Sequence, residues 1–134
     1  MLKKKNGGEL SSFVQNDYVA ISHRVKAGEA IELLKSQANR FRDKSSYIYV
    51  TDEEKRLVGV LQMQDLLVSD LGTPVTELMK PEVISVSENA SREEALRLFE
   101  RFRFFAIPVV DQAQHLVGVL SVQTIKPFSS ARPG

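Results

Sequence analysis

The sequence contains no cysteine, which excludes disulfides, thiolate metal sites and cysteine nucleophiles together and fits a reducing compartment. No apolar run approaches the ~18 residues a membrane-spanning helix needs. The opening stretch, MLKKKNGGELSS, is basic but has no apolar segment behind it, so it does not read as a signal peptide. Charge of one sign is also lacking: 18 basic and 17 acidic residues leave +1, so no overall field attracts or repels nucleic acid. Walker-type glycine loops, a His–Glu metal helix and a G-x-S-x-G elbow are missing. His23 and His115 fall in separate loops without ligands at metal spacing. Nothing pairs a nucleophile with a base at a recognisable spacing, so an enzyme is the least supported reading.

What is present is a repeat. LVGV occurs in RLVGVLQMQDLL (Arg56–Leu67) and again in HLVGVLSVQTI (His115–Ile125), with Gly59 and Gly118 separated by 59 residues. Upstream of each glycine a strand-like run ends in aspartate, YIYVTD at Asp52 and AIPVVD at Asp111, again 59 apart. Before those come helical patterns, GEAIELL and REEALRLF, in which Ala30 and Ala95 correspond at an offset of 65. The second copy is therefore shorter between its helix and the next strand. Further upstream each copy has another strand, DYVAIS and EVISVS. Internal duplication of this kind dictates architecture.

Local physics supports each part. VISV (Val83–Val86) reads as a short strand followed by a polar turn. Ser91 is the expected N-cap of the second-copy helix, with Glu94 three residues on as a capping box requires. Ala95, Leu98, Phe99 and Phe102 recur at helical spacing, so Phe102 is assigned to the core stripe. Phe105 is assigned to the head of a buried strand, which favours packing over a nucleic-acid stacking platform for this aromatic group. Pro108 cannot donate to a ladder and is expected at a strand edge or start. Tyr47 and Tyr49, alternating with Ile48 and Val50, read as strand residues with one face buried. The expected fold is α+β, two β-α-β-β-α units packed sheet to sheet with pseudo-two-fold symmetry, since neither ~60-residue half buries enough surface alone. Residues 1–12 and 127–134 read as disordered tails, with repeats over 13–72 and 73–126.

The order β-α-β-β-α, twice, with PVVD and then LVGVL before a short helix, resembles the CBS domain pair, or Bateman module. Thr73–Asp111 and the VGVLQMQDLLVSDLGTPVTELM junction most resemble the cytosolic CBS region of MgtE-type magnesium transporters. The resemblance implies an adenine-nucleotide cleft, with ATP, ADP, AMP and Mg²⁺ as regulatory rather than obligatory ligands. It further implies a homodimer formed through helices bearing Leu66, Leu67, Val68 and Ile125. Its partner would be a transporter or effector domain, and its location cytoplasmic, including the cytoplasmic face of the membrane.

In the family pattern the glycine is followed three positions later by Ser or Thr for phosphate and six positions later by Asp for the ribose hydroxyls. Here the pattern is split between the copies. Gln62 and Asp65 follow Gly59, whereas Ser121 and Thr124 follow Gly118. Val60 and Pro108 are the apolar candidates for the same cleft. An aspartate just inside a short helix also caps it, so Asp65 has a structural reading as well. Asp52, Glu53 and Glu54 form an acidic run able to attract Mg²⁺, which a solvated β-turn explains at least as well. The expected role is a non-catalytic regulatory module; the alternative is a structural dimerisation module whose ligand sites have degenerated.

Overall fold

The protein is described by a computed structural model covering residues 9–37 and 47–125. The tail readings for residues 1–8 and 127–134 lie outside the described residues. The first repeat comprises β1 (Ala20–Ser22), α1 (Ala27–Lys35), β2 (Tyr47–Thr51), β3 (Leu57–Gln62) and α2 (Met63–Leu67). The second comprises β4 (Val86–Ser87), α3 (Arg92–Phe102), β5 (Ala106–Val110), β6 (Leu116–Ser121) and α4 (Val122–Ile125). Among the described residues the strands form two three-stranded sheets, β1-β2-β3 and β4-β5-β6. The first strand of each is parallel to the second, and β2–β3 is antiparallel. The α+β class and the doubled order of elements are as the sequence implies.

The local signals explain the boundaries. At α3, Ser91 Oγ accepts from Glu94 N at 3.1 Å and Glu94 Oε1 accepts from Ser91 N at 2.8 Å, the expected reciprocal cap. The helix ends where Arg103 turns left-handed (φ 60°). The strand-ending aspartates have one shared use. Asp52 Oδ1 accepts from Glu54 N and Asp111 Oδ1 from Ala113 N, each at 2.9 Å. Lys55 (φ 69°) and Gln114 (φ 71°) then occupy the same left-handed position of each turn. Repeated aspartates therefore fix repeated hairpin turns.

Contacts divide the chain into two compact units that do not coincide with the two repeats. Of the described residues, one contains those within Asp17–Val83 together with Gln114–Leu116; the other contains residues 9–16, Ile84–Ala113 and residues 117–125. Each unit thus includes a leading segment from outside its own repeat. In the first unit Val75 is fully buried, and Lys80 bridges Val60 in both directions (2.8 and 3.1 Å). In the second, Leu10 is fully buried, and Gln15 bridges Val119 in both directions (2.8 and 2.9 Å). Residues 9–12, read from composition as part of a tail, are consequently a structured turn. Phe13 N and Val14 N both donate to Leu10 O, at 2.8 and 3.1 Å.

The two LVGV glycines lie under these leading segments. A Cβ on Gly59 would run into the Met79 side chain, and one on Gly118 into Val14 and the Gln15 carbonyl. Neither glycine has positive φ. The motif repeats because each sheet needs bare backbone where another segment crosses it.

Two expectations fail at named residues. Pro108 lies buried in the middle of β5, the central strand, and not at a strand edge or start. In the first sheet the matching position is Tyr49, whose N–H donates to Val19 O at 3.0 Å. Proline lacks that hydrogen, and β4 pairs only through Val86↔Val109 and Ser87↔Val110, one pair fewer than β1 makes with β2. The missing N–H shortens the edge strand: of the VISV reading (Val83–Val86) only Val86 lies in β4, and Ser87, read as the start of the turn, is its other residue. Phe102 and Phe105 also differ from expectation. They are 36% and 69% exposed, because the helix stops at Arg103. The Phe102 ring stacks on Phe104 instead (5.5 Å, 8°). The second core is built from Leu10, Phe99, Ile107, Val109, Leu120 and their neighbours.

Candidate functional site

The polar candidates sit where each third strand runs into its short helix. In the first unit Gln62 is the N-cap of α2, and Asp65 Oδ2 accepts from Gln62 N at 2.8 Å. Asp65 therefore does what a capping residue does, and it is half-buried. Val60, two residues before Gln62, spends its backbone on Lys80. In the second unit Ser121 occupies the matching place and its Oγ accepts from Gln123 N at 3.2 Å. Thr124 stands where Asp65 stands but carries no carboxylate. The structure thus groups Val60, Gln62 and Asp65 in one unit, and Pro108, Ser121 and Thr124 in the other. The carboxylate belongs to the first.

The face of the first sheet beside this junction carries three tyrosines. Tyr47 pairs across the ladder with Gln62, and Tyr49 lies between Ala20 and Val60. The Tyr49 ring meets Tyr18 edge-on (6.3 Å, 74°) and Tyr47 at a tilt (6.5 Å). Tyr49 is 3% exposed, and its hydroxyl has no hydrogen-bond partner. Burial, with Tyr47 adding to it, pushes the phenol pKa well above its ordinary value. In the sequence Tyr49 shows only as an alternating strand residue, at the position that Pro108 takes in the second repeat.

At the other end of β2, a cavity of about 320 Å³ is lined in part by Tyr18, Ser22, Thr51, Asp52, Glu53 and Lys55. The acidic run here is engaged by basic groups. Arg56 Nε donates to Asp52 Oδ2 at 2.8 Å, and Arg56 Nη2 to Glu54 Oε1 at 2.7 Å. Arg24 pairs with Glu53, and His23 Nε2 lies 3.2 Å from the same carboxylate. Among the described residues no three His, Cys, Asp or Glu side chains converge to hold a metal. The geometry is that of a braced hairpin turn.

Hydrogen bonding from the Arg56 backbone, reinforced by its guanidinium, holds the Asp52 carboxyl below its usual range; Glu53 is lowered by backbone hydrogen bonding and by Arg24. A carboxyl with a depressed folded pKa stabilises the fold above its unfolded value, and that contribution disappears as pH falls through the folded one. The melting temperature should therefore drop as pH is lowered below about 4. Asp52→Asn should show a shallower fall over the same range in a pH series of thermal melts.

Leu67, Val68 and Leu71, in and after α2, are 65%, 85% and 66% exposed. Leu66 and Ile125, assigned with them to a pairing surface, are fully buried in their own units' cores, so neither is available for such a surface. No described helix is long and apolar enough to cross a membrane.

A family model described as the CBS domain matches residues 10–72 and 75–128. The chain belongs to the CBS domain family. As a CBS pair it is 36% identical to the magnesium transporter MgtE of Thermus thermophilus over 117 residues, covering 87% of this chain and 26% of that protein. It is 40% identical to MgtE of Bacillus subtilis over 110 residues, covering 82% and 24%. The CBS pair thus spans about a quarter of the length of these curated relatives. The crystal structure of the cytosolic domain of the Mg²⁺ channel MgtE in complex with ATP superimposes with a TM-score of 0.82 at 35% identity, over 90% of this chain and 48% of that one. The chain is therefore homologous to the cytosolic CBS region of MgtE.

Proposed function

We propose that this CBS pair is a non-catalytic regulatory module that binds an adenine nucleotide and controls a magnesium-transport protein. The observation that carries this reading is its similarity, over nine-tenths of the chain, to an MgtE cytosolic domain in complex with ATP. Asp65 is the residue assigned to the ribose, because two vicinal hydroxyls donate well to one carboxylate. In the same unit Gln62 is assigned to the phosphate end and Val60 to the wall; in the other unit Ser121 holds the phosphate position, Thr124 the ribose position and Pro108 the wall. Met63, Gln64, Val122 and Gln123, which follow the two phosphate positions, supply no positive charge. Phosphate charge then falls to backbone N–H groups and to Mg²⁺ travelling with the nucleotide. Asp52, Glu53 and Glu54 are a weaker Mg²⁺ candidate, since each carboxylate already has an arginine partner.

Thermal melts with ATP, ADP or AMP, each with and without Mg²⁺, test the proposal. Ligand at 100 times its dissociation constant should add about 2.7 kcal/mol and shift the midpoint by several degrees. Asp65→Ala should abolish the nucleotide-dependent shift and lower the ligand-free midpoint modestly, by the ~1 kcal/mol typical of a lost helix cap. Nucleotide-induced stabilisation that survives in Asp65→Ala would remove the ribose assignment.

A second reading rests on a different observation. The exposed Leu67, Val68 and Leu71 suit a pairing surface, which would make the chain a homodimerisation module with degenerate ligand sites. No shift with any nucleotide, together with a dimer in sedimentation, would favour that reading.

A further inference from the structure

The second unit takes in both ends of the described chain: its leading segment begins at Glu9, and α4 closes it at Ile125. Leu10 and Ile125 are fully buried in the same core. One residue touches both ends. Arg92 N, at the first position of α3, donates to Glu9 Oε1 at 2.8 Å, and Arg92 Nη2 donates to Ile125 O at 3.0 Å. The same guanidinium lies 5.9 Å from the Phe13 ring centroid, within the range of a cation–π attraction. The first bond satisfies an N–H that an α-helix leaves without a partner, and a carboxylate suits that end of the helix. The second is charge-assisted.

The first unit shows why a side chain is needed here. Ala27 stands where Arg92 stands, at the 65-residue offset, and its N–H donates to Thr73 O at 2.8 Å. Only residues 68–72 separate Thr73 from α2, so the chain itself ties that short helix to the segment that follows. In the second unit the corresponding parts are α4 and residues 9–16, which come from opposite ends of the described chain. No short connection joins them, and Arg92 spans the gap.

We infer that Arg92 is a conformational latch that replaces the missing connection, so that residues 9–16 and α4 are held or released together. The inference is independent of the nucleotide reading above. Coupling of this kind is reciprocal: displacement at Glu9 loosens α4, and displacement at Ile125 loosens the segment around Leu10. Local opening at one end of the unit is thereby felt at the other.

Hydrogen–deuterium exchange on the full chain tests this, read on peptides covering residues 10–15 and 122–125. Arg92→Gln should raise exchange about tenfold in both, the size of one lost charge-assisted hydrogen bond, and leave β2 in the other unit unchanged. Arg92→Lys keeps the charge on a single ammonium that cannot serve carbonyl and ring together, so it should give a smaller rise in both peptides. Glu9→Ala, which removes only the acceptor of Arg92 N, should raise exchange at 122–125 as well, and that distant effect should vanish when it is combined with Arg92→Gln. A residue that only adds stability would not create this dependence. No rise, a rise confined to one peptide, or an equal rise through β2 would overturn the inference. So would a Glu9→Ala effect that never reaches 122–125, or one that reaches it without Arg92.

Discussion

Gly118→Ala should lower the midpoint of thermal unfolding by about 10 °C, and Gly59→Ala by much less. Both positions are buried under a crossing segment, but the obstacles differ. At Gly59 the new methyl group would meet the Met79 side chain, including Cγ at 2.7 Å. An unbranched thioether can swing aside. At Gly118 it would meet Val14, which is β-branched and stiff at χ1, and would lie 2.9 Å from the Gln15 carbonyl oxygen. That oxygen is fixed by Val119 N, so relief requires the backbone bridge itself to open. Overpacking of this kind costs about 1–3 kcal/mol, and the strained bridge sets the upper end. For a chain of this size, ~3 kcal/mol corresponds to roughly 10 °C, against ~1 kcal/mol for Gly59→Ala. Equal destabilisation by the two substitutions would contradict the distinction between side-chain and backbone obstruction.

Leu10→Ala should be comparably damaging, by about 3 kcal/mol in chemical denaturation. Leu10 is completely buried in the second core alongside Phe99, Ile107 and Leu120. Removal of its side chain takes away apolar contact and leaves a cavity that the flanking strands cannot easily fill. The segment is further held by Arg92 N donating to Glu9 Oε1 at 2.8 Å, and by the Arg92 guanidinium 5.9 Å from the Phe13 ring centroid. A solvated tail would tolerate the same substitution within a few tenths of a kcal/mol. The two readings of residues 9–12 therefore predict results that differ well beyond experimental error.

The difference between those readings shows what was legible in the sequence. The glycines, the strand-ending aspartates and the Ser91–Glu94 cap carried local signals, and each does locally what its chemistry suggests. The leading segments carried none, because LSSFV (10–14) has no period and no cap of its own. Their signal was relational. Leu10 and Val75, and likewise Val14 and Met79, correspond at the same 65-residue offset as the helices, and both members of the first pair are fully buried. Extending the repeat upstream would have placed residues 9–12 inside the fold. Pro108 was misplaced for a related reason. Its missing N–H was read as a constraint on its own strand, whereas the structure accommodates it by shortening the neighbour. At the candidate site, Asp65 was legible as both cap and ligand group, and the cap is what the geometry shows. The unpaired Tyr49 hydroxyl was not legible, since alternation reveals which face a residue occupies but not whether its polar atom finds a partner.

The exchanged leading segments also set an order of assembly. Val60 and Lys80 are separated by 20 residues of chain, whereas Gln15 and Val119 are separated by 104. Loop closure grows with the logarithm of length, so the second bridge costs about 1.5 kcal/mol more conformational entropy if it forms from an open chain. During synthesis the first unit has its core strands and its covering segment once residue 80 has emerged. The second must hold Leu10 and Val14 uncommitted until β6 (Leu116–Ser121) has been made, about a hundred residues later. Folding of the first unit shortens the effective loop for the second, so the kinetic route runs from the unit with the short closure to the unit with the long one.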